Sequence, residues 1–211
     1  EIAQCLVGSE MCIRDSFKFI GEQIGFLEAK GEENRYIFGF EESYGYLAGG
    51  YVRDKDAVVA SMLICEMAAF YRTKGISLIE VRKRMYDEYG VYFNKLENFT
   101  CEGASGMERM SEIMTDLRTN GPKSIGGLAV EAVADYEASV KTYTDGKTEK
   151  ITLPKSNVIT FFLQDNASVV IRPSGTEPKI KVYYTTTGAK KEDAVALQQK
   201  LSADFTRVLG F

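Results

Sequence analysis

The residues in this sequence with the clearest chemistry lie in the segment RPSGTEPK, residues 172–179. Arg172 can donate a bidentate pair of hydrogen bonds, and Ser174 and Thr176 add hydroxyl groups. Gly175 lets the backbone approach a bound group closely, so that its own N–H can donate as well. Several short donors around one fixed positive charge are what a phosphate dianion requires. The segment is therefore a candidate phosphate-binding loop.

The residues on either side of this loop indicate two strands. An apolar β-branched run ends at Arg172, and an alternating run begins after the second proline. Lys179 and Lys181 project from one face of that second run and are weaker phosphate candidates. The spacing differs from that of a Walker A loop, and no helix follows. The alternative is an ordinary hairpin connection rich in turn residues, with the lysines at a solvated edge.

Two further segments join this loop in resembling one family. RPSGTEPK resembles the phosphate-binding loop in the last domain of the α-D-phosphohexomutases, the phosphoglucomutase and phosphomannomutase family. GFEESYG, residues 39–45, resembles the sugar-recognition loop in the third of that family's four domains, and YVRDKD, residues 51–56, resembles the segment that follows it. The motifs occur in the family's order, and the resemblance covers roughly residues 17–211.

The resemblance implies roles for polar residues in the two earlier segments. Glu41 and Ser43 would bind the sugar, because a carboxylate accepts hydrogen bonds from two adjacent hydroxyls and a serine both donates and accepts. Lys55 would contact the phosphosugar, and Arg53 is a weaker candidate. From the residues alone, Glu41 and Glu42 are better described as acidic loop residues, and the charges from 53 to 56 as a solvated run.

The family's reaction transfers a phosphoryl group between O1 and O6 of a hexose. The resemblance implies a phosphoserine donor, a hexose 1,6-bisphosphate intermediate or activator, and a Mg²⁺ ion that stabilises the transferring group. The chain has no histidine, so the family's Ser-His-Asn-Pro loop is not in it, and neither is the Asp-Gly-Asp-Gly-Asp metal loop. We therefore expect a C-terminal mutase fragment with no catalytic residue and no metal ligand of its own, inactive by itself.

The expected partners are a phosphorylated hexose and the missing N-terminal domains of the same protein. Two other hypotheses stay open. One is a stand-alone phosphosugar-binding module without turnover, and the other is a structural domain in which both loops are plain turns.

Composition and charge exclude several other classes of protein. A net charge of −4, from 26 basic and 30 acidic residues, argues against a protein that binds nucleic acid or a membrane surface. Without histidine, no Ser-His-Asp triad or Cys-His pair is possible. The four cysteines form no CxxC pair and have no histidine to complete a zinc site. Reduced thiols and a cytoplasmic location are therefore expected.

The elements that must position these residues divide into two regions. A short helix over 17–29, a strand over 36–40 and helices over 57–72 and from Ser77 to near Gly90 predict an α/β region, the truncated third mutase domain. Asp56 is the expected N-cap of the helix over 57–72. That helix is apolar on nearly every face, so we expect it to be buried. A linker is predicted from about Leu96 to Cys101.

The second region is predicted to be an α+β domain with an antiparallel sheet backed by two helices. The first helix opens at a capping box, Ser105 to Glu108, and ends before Gly121. The last helix covers 192–209. Strands are expected over 128–135, 139–144, 158–163, 168–172 and 179–186, with a hairpin turn at Asp165-Asn166.

The predicted domains are therefore a partial sugar-recognition domain over 17–98 and a phosphate-binding domain over 99–211. Residues 1–16 show no helical or strand periodicity and do not match the mutase family. They resemble a translated sequencing-adapter sequence and are expected to be non-native or unstructured. The alternative is a genuine divergent N-terminus.

Overall fold

The computed structural model describes residues 17–41, 45–103, 105–175 and 177–211. These residues form two compact units, with the division between Met85 and Tyr86. The segment 1–16, whose origin the sequence leaves open, lies outside the described residues. So do two of the predicted ligands, Ser43 and Thr176.

The first unit has a small core between one helix and a two-stranded antiparallel sheet. Phe17, Ile24 and Leu47 are buried in it, and the hydroxyl of Tyr36 donates to the Leu47 carbonyl over 3.2 Å. The elements are helix α1 (Lys18–Glu28), strands β1 (Phe38–Phe40) and β2 (Tyr46–Ala48), helix α2 (Ala57–Thr73) and most of helix α3 (Leu78–Tyr89).

Helix α2 begins where the sequence predicts, at an aspartate cap. The Asp56 carboxylate accepts hydrogen bonds from the backbone N–H groups of Val58, at 2.9 Å, and Val59, at 3.0 Å. The expectation that this helix is buried is wrong, because none of its residues is buried in the structure. Val58 is 81% exposed and Phe70 53% exposed. The described part of this unit supplies only two short strands and one packed helix, which is too little to cover an apolar helix of 17 residues.

The second unit is an eight-stranded antiparallel sheet with two helices against one face. The strand order is β3-β10-β9-β8-β5-β6-β7, and β4 lies beside β5. Alternate residues of β10, such as Ile180 and Val182, join Met114 of α4 and Phe205 of α5 in the core. This confirms the predicted antiparallel sheet backed by two helices. The elements are β3 (Val91–Thr100), α4 (Gly106–Thr119), β4 (Ser124–Ile125), β5 (Leu128–Asp135), β6 (Val140–Tyr143), β7 (Thr148–Lys150), β8 (Ile159–Leu163), β9 (Ser168–Pro173), β10 (Lys179–Gly188) and α5 (Lys191–Leu209).

Strand β3 occupies the segment that the sequence assigned to a linker, so that assignment is wrong. β3 pairs with β10 along its whole length, from Val91 opposite Gly188 to Thr100 opposite Lys179. The alternation is hidden in the sequence because a charged residue, Glu97, faces helix α5. The compact second unit thus begins before β3, whereas the sequence predicts a second domain that starts at residue 99.

Two predicted turn and cap features have different outcomes. Asp165 and Asn166 both adopt left-handed backbone conformations, with φ of 59° and 55°, and connect β8 to β9 as the predicted hairpin. Helix α4 does begin after Ser105, but that serine makes no side-chain capping hydrogen bond, so the predicted capping box is wrong. Cys101 lies just before this helix, and its N–H donates to the Pro178 carbonyl over 2.8 Å.

Candidate functional site

The candidate phosphate loop is the tip of the hairpin between β9 and β10. Arg172 is half-buried and is the second-to-last residue of β9. The loop is closed by two backbone hydrogen bonds, from Ser174 N–H to the Lys179 carbonyl at 2.8 Å and from Lys179 N–H to the Glu177 carbonyl at 2.7 Å. An added Cβ at Gly175 would meet nothing within 4 Å, so the backbone there is open to an approaching group.

Two positive side chains lie opposite each other beside this loop. Arg172 and Lys181 are register partners on neighbouring antiparallel strands, so they share one face of the sheet. Directly opposed residues have Cβ atoms about 5 Å apart, and like charges at that distance destabilise the strand pair. Across the described ranges, no carboxylate forms an ion pair with Lys181. On its other side Lys181 has Asn98 as its register partner. Lys181 therefore carries a positive charge, without an ion-pair partner among the described residues, that a bound anion would offset.

Lys179, the other weaker lysine candidate, is already paired. Its Nζ lies 3.1 Å from Oε2 of Glu177. The Glu177 N–H also donates to the Ser174 hydroxyl, at 3.3 Å. One acidic residue thus contacts two predicted phosphate ligands, whereas Lys181 has no ion-pair partner among the described residues.

In the first unit the candidate sugar-binding residues meet around a glycine. Glu41 follows β1, and its N–H donates to the Gly45 carbonyl over 2.8 Å. An added Cβ at Gly45 would lie 2.5 Å from Oε2 of Glu41 and 2.7 Å from Cδ of Lys55. The carboxylate of Glu41 and the side chain of Lys55 therefore approach one another over Gly45. Ser43, between them in sequence, lies outside the described residues.

The electrostatics of this cluster keep Lys55 charged. A hydrogen bond to the Asp54 carboxylate, at 2.8 Å, raises the pKa of Lys55, and the charges of Asp54 and Glu41 raise it further. The Lys55 ammonium also lies 5.3 Å from the centre of the Phe17 ring. A carboxylate and an ammonium held side by side can accept from and donate to neighbouring hydroxyls of a polyol.

Arg53, the weaker candidate beside this cluster, is engaged elsewhere. Its guanidinium forms an ion pair with Glu28 and donates to the Gly50 carbonyl over 2.5 Å. This ion pair neutralises the positive charge that the phosphate role requires, and that role stays a prediction.

Sequence reasoning missed two residues that the geometry brings into these clusters. Gly45 and Glu177 both lie inside the quoted motifs, but no role was assigned to either. A backbone close approach at Gly45 and an ion pair at Glu177 depend on distances that residue type and spacing do not give. The one signal available was their position within the motifs.

The described residues include no group of three or more cysteine, aspartate and glutamate side chains placed to hold a metal ion. They therefore do not fit a Mg²⁺ site. No helix in the described ranges has the length and apolar character that crossing a membrane requires.

Profiles of two domains from one family match this sequence. The profile described as phosphoglucomutase/phosphomannomutase, alpha/beta/alpha domain III, matches residues 17–89. The profile described as phosphoglucomutase/phosphomannomutase, C-terminal domain, matches residues 114–199. Both candidate clusters fall within the matched ranges.

Similar proteins carry the same family name. A phosphoglucomutase of Staphylococcus aureus (strain USA300) is 39% identical over 188 residues, which cover 89% of this chain and 33% of the relative. A phosphoglucomutase of Staphylococcus haemolyticus (strain JCSC1435) is 39% identical over 168 residues, 79% of this chain and 30% of the relative. The chain thus spans about a third of the length of these curated relatives.

One solved structure resembles the fold across the chain. It is the crystal structure, in the open form, of the exocytosis-sensitive phosphoprotein pp63/parafusin, a phosphoglucomutase, from Paramecium. It aligns with a TM-score of 0.58 and 18% identity, covering 90% of this chain and 32% of that chain. At this identity the likeness supports the fold.

Proposed function

Because the chain belongs to the α-D-phosphohexomutase family, as its C-terminal part, we propose that it binds the substrate of a longer phosphoglucomutase or phosphomannomutase. The complete protein would interconvert hexose 1-phosphate and hexose 6-phosphate. In this proposal the β9–β10 loop holds the phosphate that is not reacting, and the cluster around Gly45 holds the sugar ring. Such contacts position the substrate and break no bond.

The observation that carries this proposal is the Arg172–Lys181 pair. Placing two cations opposite each other on adjacent strands costs stability, and a phosphate dianion between them would reverse the sign of that interaction. Ser174 and the open backbone at Gly175 lie at the strand ends that the pair borders and would supply neutral donors. Thr176 would add a second hydroxyl. If this segment were only a hairpin connection, the two opposed cations would destabilise it without any benefit.

The proposed sugar-binding role is supported by the close approach of the Glu41 and Lys55 side chains over Gly45. The Glu41 carboxylate would accept hydrogen bonds from adjacent ring hydroxyls, together with Ser43. Lys55 would donate to the phosphosugar. Arg53 and Lys179 remain the weaker candidates. Like Lys55, whose Nζ lies 2.8 Å from Oδ1 of Asp54, each would have to leave a carboxylate partner to contact a ligand.

The chemical steps are assigned to parts of the protein outside this chain. The phosphoserine that exchanges its phosphoryl group with the hexose, through a hexose 1,6-bisphosphate, and the Mg²⁺ ion would belong to the N-terminal domains. Mg²⁺ would supply charge stabilisation during transfer, and no step proposed for this chain uses it. We also propose a cytoplasmic location, with reduced thiols and neither nucleic acid nor membrane as partner.

The test is a titration of the ¹⁵N-labelled chain with glucose 1-phosphate, with glucose and inorganic phosphate as controls. Amide signals near Gly175 and Glu41 should shift with glucose 1-phosphate, and those near Gly175 alone with inorganic phosphate. Arg172→Ala should weaken binding about tenfold or more, the usual cost of losing a charge-assisted hydrogen bond. Arg207→Ala, which removes an exposed guanidinium from α5, should leave the affinity unchanged.

Two results would contradict the proposal. One is a dispersed spectrum without shifts at either cluster. The other is equal affinity of the Arg172→Ala and Arg207→Ala variants. Phosphoryl transfer assayed on the protein extended by its upstream domains separates a mutase part from a stand-alone binding module, since only the former gives turnover.

A further inference from the structure

Glu177 contacts two groups of the candidate phosphate loop at once. Its carboxylate lies 3.1 Å from the Lys179 ammonium, and its backbone N–H donates to the Ser174 hydroxyl over 3.3 Å. Its side chain is 62% exposed, whereas that of Lys179 is 33% exposed. The carboxylate is therefore the more exposed partner of this pair and is accessible to an anion arriving from solution.

A phosphate entering this loop meets a carboxylate already paired with one of its cations. Lys179 can exchange one oxygen anion for another, but Glu177 must then move away or stay beside a second negative charge. The pair is partly exposed, and such ion pairs are weak, so the exchange is easy in both directions. Lys181, on the same face, has no such competitor among the described residues.

We propose that Glu177 is an internal competitor of the phosphate, a residue that limits how tightly the loop holds its ligand. When a phosphate leaves, the Glu177 carboxylate takes its place on Lys179, so that the ammonium does not remain unpaired. This inference rests on the proposed function. The bisphosphorylated intermediate must leave the loop and turn around during the reaction. Weak phosphate binding by the loop is therefore an advantage.

The experiment compares phosphate and glucose 1-phosphate affinities of the full chain and its variants at low ionic strength. Glu177→Gln removes the charge with little change of shape and should lower the dissociation constant about two- to fivefold, the range expected for a partly exposed pair. The gain should shrink at high salt. Glu192→Gln, which removes an exposed carboxylate beyond the other end of β10, should leave the constant unchanged.

A second pair of variants tests whether the gain acts through Lys179. In a Lys179→Met background, Glu177→Gln should lose most of its effect, because the competitor has no cation to release. An undiminished gain in that background would assign the effect to general repulsion and overturn the proposal. Weaker or unchanged binding by Glu177→Gln would overturn it too.

These outcomes separate this inference from the proposed function. Suppose that the unmodified chain binds glucose 1-phosphate, that Arg172→Ala abolishes this binding, and that Glu177→Gln leaves the dissociation constant unchanged. In that case only the competitor role fails. If neither the unmodified chain nor Glu177→Gln binds phosphate or glucose 1-phosphate, both fail together. A dispersed amide spectrum for each variant confirms that the hairpin is intact.

Discussion

Gly45 lets the Glu41 carboxylate and the Lys55 side chain approach each other because it has no Cβ. A methyl group there would lie 2.5 Å from Oε2 of Glu41 and 2.7 Å from Cδ of Lys55. Both are parts of flexible, polar side chains, so they can move aside at small cost to the fold. We therefore expect Gly45→Ala to weaken glucose 1-phosphate binding about tenfold, the effect of misplacing a charge-assisted hydrogen bond, and to change the free energy of unfolding by less than about 1 kcal/mol.

The matched control is Gly25→Ala in helix α1. An added Cβ at Gly25 meets nothing within 4 Å. Alanine in a helix interior is about 1 kcal/mol more favourable than glycine, so this variant should be stabilised and bind normally. Amide titration and thermal unfolding measure the two effects. Equal affinities for both variants would show that the approach over Gly45 has no part in binding.

At this scale the sequence predicts which side chains can act but not which of them meet. Residue type and motif select Glu41, Lys55 and Arg172 as candidates. They could not show that Lys181 stands opposite Arg172 with no carboxylate partner in the described ranges, while Lys179 is paired. Both lysines have the same spacing and residue type, and only the position of Glu177 distinguishes them.

Among the elements, β3 depends on a polar contact to helix α5. Oε2 of Glu97 accepts from the Ser202 hydroxyl at 2.7 Å, and Oε1 accepts from Lys95 at 2.9 Å and from Gln198 at 3.3 Å. Partial burial raises the pKa of Glu97, but the hydrogen bonds from Ser202, Lys95 and Gln198 outweigh burial, so the pKa lies below its ordinary value of 4.5. The charged form is therefore favoured by folding.

The sign of the pH dependence follows from that lowered pKa. Stabilisation by Glu97 is fully present above about pH 4.5 and is lost as the pH falls through the lower folded-state value. Glu97→Gln should reduce the free energy of unfolding by about 1–3 kcal/mol near neutral pH, and the difference from the unmodified chain should narrow at about pH 3. Urea unfolding followed by circular dichroism at both pH values measures it, with Glu192→Gln as the exposed control. A difference that stays constant with pH would argue against this role of the carboxylate.

The same contact explains why sequence periodicity found most elements but missed β3. In β8 and β9 the sequence shows continuous apolar runs, and in β10 it shows apolar residues at alternate positions, so all three strands are visible in the sequence. In β3 the positions facing α5 include Glu97, whose polar partners Gln198 and Ser202 belong to a helix distant in sequence. A half-buried charge with a remote partner resembles a loop residue in the sequence until the fold is known.

For the whole molecule, helix α2 carries the largest discrepancy between its sequence and its surroundings. Helices that are apolar all round are normally buried, yet no residue of α2 is buried here. Its exposed large side chains include Val58, Met62, Ile64, Met67 and Phe70. The sheet of this unit has two short strands, and such a hairpin is marginally stable alone. The phosphoglucomutase relatives are about three times longer than this chain. We propose that the N-terminal mutase domains provide the missing cover.

Cys65 provides a direct measurement of that cover, because it lies exposed on α2 whereas Cys101 is buried. With Cys5 and Cys12 replaced by serine, Cys65 should react readily with a thiol reagent in this chain. In the protein extended by its upstream mutase domains, the reaction should slow at least about tenfold, since a group buried in a stable unit reacts only through local opening. Cys101 reports unfolding in both proteins. Equal Cys65 reactivity in the two, with Cys101 protected, would mean that the upstream domains leave α2 uncovered and that its apolar surface meets a different partner.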